Sequence, residues 1–356
     1  MSCTQCSTHV SATHDEQLDI EWPVEHRQRE GRRGVKNVNE TEPNEQSTAN
    51  QQGQDKVDAV ERQVTLANQG ASGQVKPRTS VWKRFRRHTL ALIGLITLTI
   101  LAILSFGAPI LAQNSPNATD LMSISQAPSS EYWLGTDATG RDVYARLLYA
   151  GRVSLSVGVA VVFISLVVGL TLGAISGYFG GFTDACVMRF VDVVLSFPSV
   201  LIIITLISLL GPSLFNLILV MGLLNWPPIT RLLRAEFLSL RERDYVLAAR
   251  SIGASGTRLV TRHMLPNAMA PIIVAATFGV ASAILLEAGL SFLGLGVQVP
   301  TPSWGNMLTA AQSLTVMDSM PWLWIPPGIL IALAVLAINF IGDGLRDALD
   351  PRMRSR

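Results

Sequence analysis

Four residues near the amino terminus have side chains of the types that bind metal ions. They follow the pattern C-x2-C-x2-H-x4-H and are Cys3, Cys6, His9 and His14. Thiolates and imidazoles are common zinc ligands, but zinc fingers usually place about twelve residues between the cysteine pair and the histidine pair. Here only two residues intervene. The spacing therefore favours a chance cluster, and we predict no metal site.

The remaining patterns do not predict an enzyme. The segment Gly253-Ala254-Ser255-Gly256-Thr257 is rich in glycine, but it lacks the lysine that a phosphate-binding loop requires. The sequence contains no zinc-protease motif, nucleophile elbow or pair of carboxylates at catalytic spacing. We therefore expect a chain that is not an enzyme, does not hydrolyse ATP and has no cofactor of its own.

One ionisable side chain, that of Glu287, lies deep in an apolar stretch of the sequence. A carboxyl group in such a position either lines a path for a solute or forms hydrogen bonds between packed helices. A single acidic residue without a mapped partner does not define a path. The sequence therefore favours the hydrogen-bonded role and keeps Glu287 as a candidate for a translocation path.

The overall composition indicates that these residues are positioned by membrane helices. The 356 residues are 49% hydrophobic and 15% charged, with a mean hydropathy of +0.35. Residues 1–80 hold 21 of the 54 charged residues. The rest of the chain has too few charges to cover the surface of a water-soluble globule. The net charge of +2 and the lack of a basic face also argue against nucleic acid as a partner.

Residues 1–80 form a polar segment rich in Gln, Asn, Glu, Thr and Ser. They contain few aromatic residues and no sustained apolar period. Such a segment cannot bury enough apolar surface to offset the entropy lost on ordering. We predict that it is a disordered cytoplasmic tail.

Six apolar runs are candidates for membrane-spanning helices, which need about 20 residues to cross about 30 Å of hydrocarbon. The runs are residues 90–112, 153–177, 193–211, 214–230, 268–296 and 322–341. We therefore predict an all-α polytopic membrane protein with six transmembrane helices. Pro326-Pro327-Gly328 is expected to unwind the sixth helix locally.

The distribution of Lys and Arg predicts the orientation of these helices. With six spans, 16 of the 19 basic residues after residue 80 fall on one side of the membrane. The other side receives Arg141, Arg146 and Arg152. Because cytoplasmic loops carry the excess of basic residues, we predict that both termini are cytoplasmic.

The longest cytoplasmic connection, residues 231–266, has the pattern of two short helices. Four small or apolar residues recur at helical spacing: Tyr245, Ala248, Ala249 and Ile252. Gly253 is expected to end the first helix with a positive φ, and Pro266 to end the second. The apolar face could rest on lipid or dock onto a partner protein. The pair of alanines favours docking, because close helix contacts prefer small residues.

This segment resembles the cytoplasmic loop of ABC importer permeases. The family pattern is E-A-A, three residues, G, nine residues and I-x-L-P. It is matched by Ala248, Ala249, Gly253, Leu265 and Pro266. Leu247 and His263 stand where the pattern has Glu and Ile. The resemblance implies that these matching residues, with Tyr245 and Ile252, form the loop that couples the permease to its ATPase.

Further motifs resemble the second permease subunit of dipeptide and oligopeptide importers. They occupy residues 134–143, 151–155, 290–296, 300–305 and 339–352. Their signature residues are Gly135, Thr136, Asp137, Gly140, Arg141, Asp142, Trp304, Gly305, Gly342, Asp343, Asp350 and Pro351. The resemblance runs from about residue 83 to the end of the chain.

The resemblance implies the type I ABC importer permease fold. We expect a first membrane helix and outer loop in residues 81–150, a core of five helices in 151–345 and a cytoplasmic end in 346–356. The implied partners in the bacterial inner membrane are a homologous permease and two ATPase subunits, which bind ATP and Mg, with an extracytoplasmic solute-binding protein. Peptides are the expected solute, and nickel or another non-peptide solute is the alternative. A stand-alone secondary transporter and a membrane-anchored scaffold remain as rival functions.

Overall fold

The structure, a computed structural model, describes residues 81–349. The cysteine and histidine cluster, the predicted tail, Asp350 and Pro351 lie outside the described residues. In chain order, the α-helices of the described part are α1 (Val81–Phe85), α2 (Thr89–Phe106), α3 (Ala108–Leu111), α4 (Val143–Phe179), α5 (Gly181–Leu195), α6 (Ser199–Leu210), α7 (Leu214–Leu224), α8 (Pro227–Arg241), α9 (Asp244–Ser251), α10 (Gly256–Arg258), α11 (Leu265–Phe292), α12 (Trp304–Met307), α13 (Leu314–Ser319) and α14 (Ile325–Leu349). A π-helix covers Leu259–Met264, and 3-10 helices cover Leu308–Gln312 and Pro321–Leu323.

Four helical stretches within residues 81–349 are long and apolar enough to cross a membrane. They are Thr89–Phe106, Val143–Phe179, Gly256–Phe292 and Pro321–Leu349. A fifth span is obtained if α5 and α6, which meet at a bend of 78°, are counted together. Pro198 lies at this bend, where its ring fixes φ and removes a backbone donor. The prediction of an all-α membrane protein is confirmed.

The predicted fourth span, residues 214–230, is divided in the structure. Helix α7 ends at Leu224 after 11 residues, and Pro227 begins α8. A helix of 11 residues rises about 17 Å, well short of the roughly 30 Å of hydrocarbon. The predicted count of six transmembrane helices is therefore not fully confirmed.

Our expectations for the prolines in two helices were wrong. Pro266 does not end the second short helix, because the chain continues from α10 through the π-helix into α11. The Leu265 N–H donates to the carbonyl of Val260, five residues earlier, as in a π-helix. Pro266 has no N–H to donate, and it lies in the first turn of α11, directly after this π-helix. Pro326 and Pro327 do not unwind a span, because they lie in the first turn of α14, where proline is tolerated.

Three glycines of α4, Gly169, Gly173 and Gly177, allow α8 to pack unusually close. A Cβ atom built on each of them would lie 2.5 to 2.9 Å from a Cβ atom of α8. The facing residues are Ile229, Leu233 and Phe237. Any larger residue in this stripe would push the helices apart. The stripe therefore fixes α8 on the carboxyl-terminal half of α4.

The two ends of α4 carry different structures. Near its carboxyl end, Tyr178 packs against Gly256, within the segment 244–264 that we call the elbow. Near its amino end, Gly151 lies against Trp304. We call residues 113–142 and 293–324, which meet at this second end, the cap. The elbow and the cap therefore lie at opposite ends of the same long helix.

Candidate functional site

The elbow turns sharply at Gly253. The Ala254 N–H donates to the Ala249 carbonyl at 3.1 Å, and the Gly253 N–H donates to the Arg250 carbonyl at 3.0 Å. These two bonds form a Schellman motif, which needs a residue with positive φ at the first position after the helix cap. Gly253 has φ +82°, as the sequence predicted. The turn leads the chain from α9 into α10.

Helix α9 packs against the bundle mainly through Val246, which lies outside the predicted docking face, and through Ala249. Val246 and Ala249 are buried, and they pack in one apolar cluster with Phe237, Leu259 and Met264. Of the four residues of the predicted face, only Ala249 is buried. Tyr245, Ala248 and Ile252 are exposed, so they are available for the predicted docking, which stays a prediction.

The other side of α9 is apolar but uncovered by the described part of the chain. Ile252 is 87% exposed, Leu247 is 47% exposed and Tyr245 is 41% exposed. Ala248 and Gly253 are exposed between them. Four arginines in or beside the elbow are also exposed: Arg243, Arg250, Arg258 and Arg262. Large apolar side chains that are exposed in a protein with polar residues around them are typical of a protein-binding surface.

Pro266 and Leu265 lie at the base of the elbow, where it enters α11. Leu265 packs against the same apolar cluster as Val246 and Ala249, whereas Pro266 is exposed. The structure thus places the seven predicted loop residues in one segment. It divides them between a buried side and an exposed side.

An ion pair that no sequence pattern indicated holds α8, the helix that packs against the elbow. The Arg234 guanidinium donates from Nε and Nη2 to the two Asp184 carboxylate oxygens at 2.5 and 2.6 Å. The Ser176 hydroxyl also donates to Asp184. This bidentate pair joins α8 to α5 and α4, and such planar pairs give strong directional contacts. The partners are 50 positions apart in the sequence, which explains why no sequence pattern indicated the pair.

The signature carboxylate Asp137 organises the cap. Its Oδ1 accepts from the Thr139 N–H at 2.8 Å and the Arg141 N–H at 3.0 Å, and its Oδ2 accepts from Arg141 Nε at 2.8 Å. Burial raises the pKa of this carboxyl, but the hydrogen bonds and the charge of Arg141 outweigh burial and hold the pKa below its usual value. Arg146 Nε lies 3.7 Å from the same carboxylate.

The neighbouring signature residues shape the cap and begin α4. Gly135 and Gly140 both have φ +71°, and a Cβ atom at Gly140 would collide with the Asp120 carbonyl. The Thr136 hydroxyl accepts from the Gln126 N–H at 2.9 Å. Asp142 caps α4 by accepting from the Tyr144 N–H at 2.9 Å. These contacts are internal to the cap, which indicates an ordered structure.

A cavity of about 620 Å³ lies between the two parts of the cap. Asp137, Arg141 and Arg146 line one side, and Asn306 and Met307 line the other.

In the carboxyl-terminal signature, Gly342 packs against Phe278 of α11, and Asp343 is exposed. The structure therefore does not bring Gly342 and Asp343 to the cavity.

Glu287 is fully buried near the cap end of α11, and each of its two carboxyl oxygens accepts a hydrogen bond from a serine hydroxyl. Ser154 donates to Oε2 at 3.0 Å, and Ser291 donates to Oε1 at 2.7 Å. Trp304 is fully buried beside them, and a Cβ atom at Gly305 would lie 2.6 Å from Ala288 Cα. A role for Glu287 in a translocation path stays a prediction.

The helical spans, the elbow and the cap define a polytopic membrane protein. Residues 169–355 match the family described as binding-protein-dependent transport system inner membrane component. Residues 76–128 match the N-terminal transmembrane domain of oligopeptide transport permease C. The chain belongs to the first family, so it is an inner-membrane permease component of a transport system, and the predicted resemblance to ABC importer permeases is confirmed.

Individual relatives agree with this family. A protein of Brucella suis biovar 1 that carries a peptide-permease name is 49% identical over 269 residues, which are 76% of this chain and 89% of the relative. The dipeptide transport system permease protein DppC of Alkalihalophilus pseudofirmus is 43% identical over 79% of this chain and 92% of its own length. The oligopeptide transport system permease protein OppC of Bacillus subtilis is 38% identical, with 81% and 95% covered. These relatives are named as transport permeases.

Proposed function

We propose that this chain is the permease subunit of an ATP-driven importer for peptides and that the exposed face of α9 receives an ATPase subunit. The observation that carries the proposal is the uncovered apolar patch of Tyr245, Leu247 and Ile252 at the tip of the elbow. Leaving these side chains in water is unfavourable, so a partner surface is expected to cover them.

The proposed assembly contains a homologous permease, two ATPase subunits and an extracytoplasmic solute-binding protein. The ATPases bind ATP and Mg in this proposal, and this chain contributes only helices. The excess of basic residues beside the elbow supports a cytoplasmic location for it and for both termini. The cap then faces the solute-binding protein.

Peptides are the solute that we propose, because the relatives are named for peptide, dipeptide and oligopeptide transport. Nickel or another non-peptide solute is the second candidate.

The packing of the elbow suggests how movement would pass to the membrane helices. A push on α9 would reach α8 through Val246 and Phe237, which share one apolar cluster. The glycine stripe would carry the movement from α8 to α4. The unbroken path from α10 through the π-helix would carry it to α11. Tilting these helices would switch the access of the permease from one side of the membrane to the other.

The docking proposal can be tested by introducing a charge at Ile252, the most exposed of the three apolar residues. We expect Ile252→Asp to abolish co-purification of the ATPase subunits in mild detergent, because docking would bury an unpaired carboxylate. The matched control is Leu314→Asp, which alters an 80% exposed leucine in the cap. Retention of the ATPases by Ile252→Asp would contradict the proposal.

The solute can be tested by uptake. A strain lacking this chain should lose uptake of labelled dipeptides, and the unaltered chain should restore it. Loss of nickel uptake with normal dipeptide uptake would favour the second candidate.

A further inference from the structure

Three serine hydroxyls from distant parts of the sequence surround the buried carboxyl group of Glu287. Ser154 lies on α4, 133 residues away from it, and Ser291 lies one turn further along α11. The hydroxyl of Ser303, which is in the cap, also interacts with the carboxyl. All four residues are at most 2% exposed.

Each hydroxyl is also fixed by a backbone N–H of the cap. The Trp304 N–H donates to Ser154 Oγ at 3.2 Å, and the Val297 N–H donates to Ser291 Oγ at 3.1 Å. The Asn306 N–H donates to Ser303 Oγ at 3.1 Å. Because each oxygen already accepts one hydrogen bond, its own proton is free to point at the carboxyl. Three backbone groups of the cap are thus joined to one side chain of α11.

The surrounding packing leaves little freedom for the cap segment. Trp304 Nε1 donates to the Leu147 carbonyl of α4 at 3.1 Å. Asn306 Nδ2 donates to the carbonyls of Val297 and Thr301 at 3.1 and 2.8 Å. Residues 297–307 are therefore attached to α4 on one side and to α11 on the other. Glu287 is the group that both attachments share.

We propose that Glu287 is a positioning residue, whose carboxyl group locks cap segment 297–307 to α4 and α11 so that the cap moves with these helices during transport. Removing the carboxyl group would leave buried hydroxyl donors without an acceptor, and such losses are large in an apolar interior. The segment forms one wall of the cavity in the cap through Asn306 and Met307. Freeing it would deform that wall while leaving the elbow unchanged.

Hydrogen exchange measured by mass spectrometry on the full chain in lipid nanodiscs tests the proposal. We expect Glu287→Gln and Ser154→Ala to speed amide exchange in residues 297–307 by about tenfold, the effect of losing one buried hydrogen bond. Exchange in residues 244–264 should not change. The matched control is Ser156→Ala, which alters an exposed serine two positions further along α4.

A conservative pair separates positioning from general stability. Ser303→Ala should release the segment, whereas Ser303→Thr keeps a hydroxyl at the helix cap and should restore slow exchange. Unchanged exchange in 297–307 for both Glu287→Gln and Ser154→Ala would overturn the proposal. Faster exchange throughout residues 81–349 would also overturn it, because the residue would then be needed only for folding.

Uptake by the assembled transporter provides the functional readout. Ser154→Ala should reduce maximal uptake, and Ser156→Ala should not. Only this readout rests on the proposed function: local release of the cap without an uptake defect would overturn the link to transport. If the unaltered chain supported no peptide uptake, the proposed function would fail, and the exchange experiment would still decide the role of Glu287.

Discussion

Replacing Gly177 with alanine should separate α4 from α8. A Cβ atom at this position would lie 2.5 Å from Phe237 Cβ. Carbon atoms pack at about 3.5 to 4.0 Å, so the helices would have to move apart by roughly 1 to 1.5 Å. Overpacking of this kind costs about 1 to 3 kcal/mol, and the better helix propensity of alanine offsets roughly 1 kcal/mol of that cost. We expect the free energy of unfolding to fall by about 1 kcal/mol, the middle of the resulting range of about 0 to 2 kcal/mol.

Thermal unfolding of the full chain in detergent measures this effect, and Gly289→Ala is the matched control. Gly289 also lies inside a membrane helix, but a Cβ atom there would meet nothing within 4 Å. The control should be as stable as the unaltered chain or slightly more stable. Because α8 supports the elbow, Gly177→Ala should also lower uptake.

An equal unfolding midpoint for Gly177→Ala and the unaltered chain would refute the close contact between α4 and α8. An equal loss of stability in Gly289→Ala would show that the effect belongs to glycines in membrane helices generally. Either result would remove the stripe from the proposed route of coupling.

Three further predictions concern the elbow, its supporting ion pair and the cap. Gly253→Val should reduce solute-stimulated ATP hydrolysis by the assembled transporter, because the φ of +82° at this position is unfavourable for a β-branched residue. Gly253→Asn should largely retain this activity, because asparagine adopts positive φ more readily. Equal activities would contradict this. Arg234→Lys keeps the charge but loses the bidentate geometry, so uptake should fall. The free energy of unfolding should change by less than about 1 kcal/mol, because the pair is partly exposed. Unchanged uptake would contradict a supporting role for the pair. The lowered pKa of Asp137 means that its carboxylate stabilises the cap above the ordinary value of 3.8 and that this contribution is lost as pH falls below it. Hydrogen exchange in residues 120–142, corrected for the intrinsic effect of pH, should therefore stay constant above pH 3.8 and quicken as the pH falls below it, and Asp137→Asn should remove most of that difference.

Local signals in the sequence predicted the helical membrane fold and the turn at Gly253. Long apolar runs and a glycine after a short periodic segment depend only on neighbouring residues. The division of the fourth run depends on more than its hydropathy, because α7 ends at Leu224 and Pro227 starts a new helix in the same apolar stretch. The role of Pro266 was missed because the π-helix before it leaves no hydropathy pattern.

The candidate sites depend on contacts between distant residues, which a single sequence does not reveal. The inward packing of Val246 with Ala249 was not predicted, because the pattern of α9 alone does not indicate which residues contact its neighbours. The partners of Glu287 were not identified because Ser154 is 133 residues away. A serine four residues after the glutamate was the one available hint, since residues at this spacing meet on a helix.

Photo-crosslinking from position 252 tests the central claim most directly. A benzoylphenylalanine at Ile252 should crosslink to an ATPase subunit in native membranes, because the account places this side chain at the docking surface. The same probe at Leu314, which is similarly exposed but lies in the cap, should not crosslink to it. Crosslinking of the Ile252 probe to lipid alone would contradict the account and would show that the elbow rests on the membrane surface.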